Sequence, residues 1–226
     1  MPKLTTIIMT SYNQTLWQSQ MTMASVANVT RYTEPEEYEL ILMSDSEKFT
    51  VRDDYKVLKI DRYERTEGFN YTKSMNEGAK LAKGDYLVFL QNDVFVHEGW
   101  LPDLRYYLEK GISECIWPDQ MPRSRVFVKQ SYSMSYDIAM QFGSRDAGLM
   151  MITKKAFQRT GGWDEELTLL AERDFYNRLA MASVVTKDTC KVMVTHIMAA
   201  SNLYRMAVNP EEYNNMMRKD AKKLNT

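Results

Sequence analysis

The chain reads as an α/β protein: a single domain with a mostly parallel central sheet flanked by helices. Three observations carry this reading. Short apolar runs bounded by turn residues recur at Leu4–Met9, Tyr38–Met43, Tyr86–Leu90 and Ala147–Thr153. Stretches of helical period fall between several of them, and strands alternating with helices build βαβ units. The chain's 226 residues, 44% hydrophobic and 12% aromatic, suffice for one substantial core.

Leu4–Met9 (LTTIIM) is an uncharged, β-branched strand that ends in the polar turn Thr10-Ser11-Tyr12-Asn13. Trp17, Met21 and Ala24 recur at helical spacing and predict a helix, which Glu34-Pro35-Glu36-Glu37 breaks. Tyr38–Met43 is a second strand, ending in Ser44-Asp45-Ser46, and Tyr55–Ile60 a third. In the central stretch Phe69–Val94, Met75, Ala79 and Ala82 form the apolar stripe of a helix. Lys73, Asn76 and Lys80 share another face of it. Gly84-Asp85 then opens the buried strand Tyr86–Leu90, which stops abruptly on Gln91-Asn92-Asp93. Ligands of open α/β sheets collect beyond the carboxyl ends of strands, so Asp93 stands where a carboxylate can hold a divalent metal against a phosphate.

Gly99-Trp100-Leu101-Pro102 starts a helix that ends near Lys110. From Glu114 to Arg145 the periodicity fades, with Ile116-Trp117-Pro118-Asp119 as one further strand end and a mobile loop expected at Gln130–Asp146. Ala147–Thr153 is again buried strand, and Lys154–Thr160 a short helix closed by Gly161-Gly162. Trp163-Asp164-Glu165 lead to a helix that opens on Glu172-Arg173-Asp174. Val192–Thr195 is a late strand with His196 at its end. Residues 206–226 follow the 1–205 domain as a charged surface helix or tail.

A formal charge of −1 gives no global attraction to nucleic acid or anionic membrane. Two cysteines, Cys115 and Cys190, make no disulfide framework and point to a reducing compartment. No apolar run is long enough for a membrane span, and the N-terminus lacks an apolar signal core, so a cytoplasmic protein is expected.

Four blocks in order resemble the family 2 glycosyltransferases of the GT-A fold. TTIIMTSYNQ is similar to the family's opening strand and Tyr-Asn turn. FNYTKSMNEGAKLAKGDYLVFLQND resembles its central segment, which ends in the metal-binding DxD. GGWDEELTLLAERDFYNRL resembles the Gly-Gly-Phe-Asp-Glu block and the acidic pair that supplies the base. VTHIMAAS is similar to the late strand with its histidine. The chain departs from the pattern at Gln91, which replaces the first Asp of DxD, and at Ser44-Asp45-Ser46, where two acids and a Gly are usual.

The resemblance implies transfer of a hexosyl or deoxyhexosyl group from a nucleoside-diphosphate sugar to a saccharide or other hydroxyl-bearing acceptor, with inversion. Asp93, with His196, would hold Mn²⁺ or Mg²⁺ against the leaving diphosphate. Glu172 is the first choice as general base and Asp174 the second; a carboxylate in a helix's first turn is kept ionised by the helix dipole. Thr10, Ser11, Tyr12, Asn13, Asp45, Lys73 and Asn92 would surround the nucleotide sugar, and Trp163 with Asp164 the acceptor. For fold alone, each has a plainer role: Asp93 ends a strand, Glu172 favours a helix start, and Tyr12 fills space. A sugar nucleotidyltransferase is disfavoured because Thr10–Asn13 has no Gly or Arg, and a dehydrogenase because no G-x-G-x-x-G follows a strand. A non-catalytic nucleotide- or carbohydrate-binding module is the remaining alternative, suggested by Gln91.

Overall fold

The computed structural model describes residues 4–45, 58–66, 68, 70–121, 135–136, 148–197 and 207–225. Ser46, the first part of the expected third strand (55–57), nearly all of the 130–146 loop and Ala147 lie outside them. In chain order the elements are β1 (Thr5–Ser11), α1 (Leu16–Arg31), β2 (Tyr38–Ser44), β3 (Arg62–Arg65), α2 (Tyr71–Leu81), β4 (Tyr86–Gln91) and β5 (Val94–Phe95). There follow α3 (Trp100–Glu109), β6 (Cys115–Met121), β7 (Leu149–Thr153), α4 (Lys154–Thr160), α5 (Ala171–Met181), β8 (Thr186–His196) and α6 (Pro210–Leu224).

The strands form one sheet in the order β3-β2-β1-β4-β7-β6-β8-β5. The half made of β3, β2, β1 and β4 is parallel throughout. Beyond it β7 runs antiparallel to both β4 and β6, and β5 antiparallel to β8, so the sheet is mixed. In the parallel half, α1 connects β1 to β2 and α2 connects β3 to β4, as parallel neighbours require a crossover. Period-two side chains divide between two apolar layers. Ile7, Met9, Leu40, Leu42, Val88 and Leu90 pack under α1 and α3, with Val26, Trp100 and Leu104. Ile8, Ile41, Leu87 and Phe89 pack under α2, α4 and α5, with Met75, Phe157, Trp163 and Phe175.

Two elements depart from the sequence reading. Helix α1 forms, but Trp17 is 49% exposed and Ala24 also faces outward; its buried face is Gln18, Thr22, Ser25, Val26 and Val29. A capping box at Thr15 and Gln18 starts it. Among the described residues the third strand is Arg62–Arg65, and residues 58–60 of the expected strand are not part of it: Leu58 and Ile60 pack against the core edge, and the polar RYER segment pairs with β2 as an exposed edge strand.

Gly84 sets how closely the approach to β4 lies against β1. A Cβ there would come within 2.6 Å of the Leu4 carbonyl oxygen and 2.7 Å of the Thr6 nitrogen, both backbone atoms. Gly84→Ala is expected to lower unfolding free energy by about 1–3 kcal/mol, the usual cost of overpacking a tight site. Urea unfolding measures this, and an unchanged midpoint would contradict it.

Candidate active site

Strands β1, β2 and β4 end at one level, with Thr10 opposite both Met43 and Gln91 and Ser11 opposite Ser44. The chain ends left there are tied by side chains. Ser11 Oγ donates to Asn13 Oδ1 at 2.7 Å, Asn13 Nδ2 donates to Ser44 Oγ at 2.9 Å, and Asn92 Nδ2 donates to Thr22 Oγ1 of α1 at 2.8 Å. Ser11, Asn13 and Asn92 are therefore buried in a network that fixes the mouth, and Thr10 is buried beside them. Asp45 stands at the rim, where Oδ1 accepts from the Asn13 amide (2.9 Å) and Oδ2 from Gln14 Nε2 (2.6 Å). Tyr12 is half-buried at the same rim. Lys73 lies apart on the exposed side of α2, 3.9 Å from Glu77.

After β4 the chain turns through Asn92-Asp93 into β5. The polar face of α1 holds this turn: Ser25 Oγ donates to the Val94 carbonyl, while Asn28 donates to Val96 O and accepts from Val96 N. On the other side β5 pairs with the end of β8, Val94 opposite His196, and the Ile197 amide donates to Asp93 O at 2.9 Å. Backbone pairing thus brings together two side chains that are 103 positions apart by their numbers, 196 less 93. His196 Nε2 lies 3.4 Å from Asp93 Oδ1, with both side chains under 10% exposed. His196 Nδ1 faces Gln120 Oε1 at 3.1 Å, an amide oxygen that can only accept; the tautomer that donates Nδ1–H to it turns the Nε2 lone pair toward Asp93. Asp93 Oδ1 is buried and accepts no hydrogen bond among the described residues. Such an oxygen beside an imidazole lone pair fits a cation, although no group of three or more His, Cys, Asp or Glu side chains gathers to hold one among the described residues. The other histidine, His97, meets Thr195 Oγ1 instead, and burial lowers its pKa.

Glu172, half-buried on the first turn of α5, accepts from Gln91 Nε2 at 3.3 Å. The residue that replaces the first Asp of DxD therefore turns toward the other carboxylate and offers it a donor. Tyr71, at the start of α2, completes the group. Its phenol is pushed well above the ordinary tyrosine range, by burial first and then by the charge of Glu172; a hydrogen bond with Gln91 works the other way, and Tyr176 and Asp93 add to the rise. Tyr71 stays protonated and lies within the field of both carboxylates. Nothing in composition pointed to it; the signal was its place at a helix start just before the Asn-x-Gly.

Asp174 is engaged by Arg178 one turn later, as the i, i+4 spacing allows. Arg178 also reaches Asp164 at 3.2 Å, and Lys223 of α6 meets Asp164 at 2.8 Å. Trp163 is 5% exposed; its ring stacks on Phe175 and meets Tyr71 and Phe89 edge-on, so neither it nor Asp164 stands open to solvent. Trp100 and Trp117 are core residues, each 1% exposed.

The 163–170 loop is held by α2. Asn76 grips Trp163 like a strand neighbour, Oδ1 accepting from Trp163 N and Nδ2 donating to Trp163 O, each at 2.9 Å. Asn70 and Thr72 donate to the carbonyls of Glu165 and Leu167. Gly162 is required by this grip: its φ is +79°, and a Cβ would sit 2.7 Å from Asn76 Oδ1.

Residues 6–166 match the family model described as Glycosyl transferase family 2. A comparison with curated proteins returns no match. Among solved structures, the fold is similar to GalNAc-T7, determined with UDP, GalNAc and Mn²⁺, at a TM-score of 0.63 and 17% identity over 86% of this chain and 44% of that one. It is also similar to S. aureus TarS, at a TM-score of 0.64 and 14% identity over 89% of this chain and 38% of that one. The chain thus spans less than half the length of either neighbour. Both likenesses concern the GT-A fold. Among the described residues no helix is long and apolar enough to cross a membrane.

One prediction concerns Asp164. Burial acts to raise its pKa, but the hydrogen bonds from Lys223 and the Glu166 amide, with the charges of Lys223 and Arg178, bring it below the ordinary value. A lowered folded-state pKa gives stability that is present above the unfolded carboxylate value and lost as pH falls through the folded one. The stability difference between the native chain and Asp164→Asn is therefore expected to be largest near neutral pH and to shrink below about pH 4. Urea unfolding across that range checks it; a difference that grew on acidification would contradict the ion-pair account.

Proposed function

The chain belongs to glycosyl transferase family 2, and we propose that it moves a sugar from a nucleoside-diphosphate sugar to an acceptor hydroxyl with inversion. The observation that carries this is one pair of carboxylates in contrasting surroundings. Asp93 stands against His196 with one oxygen unsatisfied among the described residues, and Glu172 is held by the neutral donor Gln91. Tyr71 senses the charge of both.

Asp93 and His196 would hold Mn²⁺ or Mg²⁺; the GalNAc-T7 structure, on the same fold, was determined with Mn²⁺. A cation held there would supply positive charge against the negative charge that grows on the leaving diphosphate. With only these two residues as protein ligands, metal binding there would depend on bound nucleotide. Tyr12 and Asp45 meet the nucleoside at the rim, Tyr12 by stacking and Asp45 by accepting a hydrogen bond from base or ribose. Thr10, Ser11, Asn13 and Asn92 keep that rim rigid from below. Lys73 reaches a phosphate by leaving Glu77.

Glu172 takes the proton of the acceptor hydroxyl as its oxygen bonds to the anomeric carbon, and the electron pair of the broken bond leaves on the diphosphate. Gln91 keeps one carboxylate oxygen oriented. Asp174, occupied by Arg178, supports α5. Trp163 and Asp164 form the floor and tether of the acceptor side. The acceptor is a saccharide or another hydroxyl-bearing molecule, and the donated group a hexosyl or deoxyhexosyl. A cytoplasmic setting agrees with two buried cysteines that form no disulfide.

Release of nucleoside diphosphate from a panel of nucleotide sugars tests the reading, UDP-sugars first because the GalNAc-T7 structure was determined with UDP. Asp93→Ala is expected to lose Mn²⁺-dependent nucleotide binding and turnover together. Glu172→Gln is expected to keep that binding while transfer falls by about 10²–10⁴-fold, the usual worth of a general base. Undiminished turnover in either variant would refute the role assigned to that residue. Nucleotide binding without release of diphosphate, acceptors supplied, would make the protein a binding module.

A further inference from the structure

Helix α5 begins without a cap of its own. Its N-cap is Leu170, which offers no side-chain hydrogen bond. The amides of the turn that enters it nevertheless have a partner: Asp220 of α6 accepts from Thr168 N at 2.9 Å, Leu169 N at 2.6 Å and Leu170 N at 3.0 Å, all on Oδ2. Asp220 is 1% exposed, and it is the sole residue of α6 in the buried class. Three amides converging on one buried carboxylate oxygen make a charge-assisted site of the kind that holds an anion at a helix entrance. Three residues on, Lys223 Nζ contacts Asp164 at 2.8 Å and also bonds Glu166. So α6 grips the 163–170 loop in addition to Asn70, the N-cap of α2, and Thr72 and Asn76 within it.

We infer that Asp220 is a positioning residue for the transfer reaction: from the C-terminal helix it fixes the turn that presents Glu172, two positions after Leu170. This rests on Glu172 being the base. Asp220 touches no reacting group. Its effect passes through the backbone of 168–170, and displacing a base by even an ångström costs rate while leaving donor binding alone. The C-terminal helix is then part of the active site's scaffold, although residues 198–206 separate it in sequence from β8.

The test compares Asp220→Ala, Asp220→Asn, Lys223→Met and Glu172→Gln in the full chain, with Mn²⁺ and the nucleotide sugar that the donor panel selects. Asp220→Ala is expected to lower kcat on the order of 10- to 100-fold with donor KM unchanged, and to speed hydrogen exchange at the 168–170 amides. Asp220→Asn, which keeps one acceptor oxygen, should recover much of that loss. In the Glu172→Gln background Asp220→Ala should cost little further, because both act through one group. Should Asp220→Ala not fold, Asp220→Asn and Lys223→Met carry the same comparison, each with a smaller kcat loss at constant donor KM. Native kcat in the Asp220 variants despite faster exchange, or an undiminished loss in the Glu172→Gln background, would overturn the inference. Transfer by Glu172→Gln at the native rate would instead refute the base, and this inference with it; an inactive Glu172→Gln beside a fully active Asp220→Ala refutes this inference alone.

Discussion

A carboxylate buried at the mouth of the sheet is the constraint around which the molecule is arranged. Asp93 is 4% exposed, and taking an ion out of water costs several kcal/mol unless partners compensate. Among the described residues His196 stands directly against it, and the two are held in register from both sides. Ser25 and Asn28 replace a strand partner for residues 94–96 on one side, and the β5–β8 ladder locks the other. Pro118, which has no N–H to donate, sits where β6 and β8 shift register. Past that shift the two strands continue to Met121 and Thr195, which sets Gln120 where it can orient the His196 ring.

The second carboxylate is treated in the opposite way. Glu172 sits on a helix whose entrance is fixed by side chains from two other elements, and Gln91, which donates to it, is neutral. An Asp at position 91 would face Glu172 as a like charge and raise the cost of keeping it ionised. The Gln at that position therefore removes a repulsion and leaves Asp93 as the carboxylate of the motif. That division of labour suits a reaction in which one acid meets a cation and the other a proton.

The fold was legible where burial follows simple periodicity. The strands around Ile7, Leu40 and Val88 are apolar on both sides because helices cover both faces, and the Met75, Ala79 and Ala82 stripe of α2 is indeed buried. Helix α1 misled because much of its inward face is polar: Gln18 closes the helix's own capping box, and Thr22, Ser25 and Asn28 spend hydrogen bonds on the turns of the site, so hydrophobic pattern points the wrong way. Asp93 and His196 could be paired only through the resemblance, since nothing local in sequence records a β5–β8 ladder. The Gln91–Glu172 contact and the Asp220 cap were invisible for the same reason. Each joins elements whose separation carries no periodic signal, and an apolar Leu at the N-cap gives no hint that another helix does its work.

Anomalous diffraction from crystals grown with Mn²⁺ and UDP would locate the cation relative to Asp93 and His196. A manganese peak is expected within coordination distance of both Asp93 Oδ1 and His196 Nε2, next to the diphosphate. Nucleotide bound in the cleft with manganese seated elsewhere, and these two side chains still facing each other without it, would contradict it.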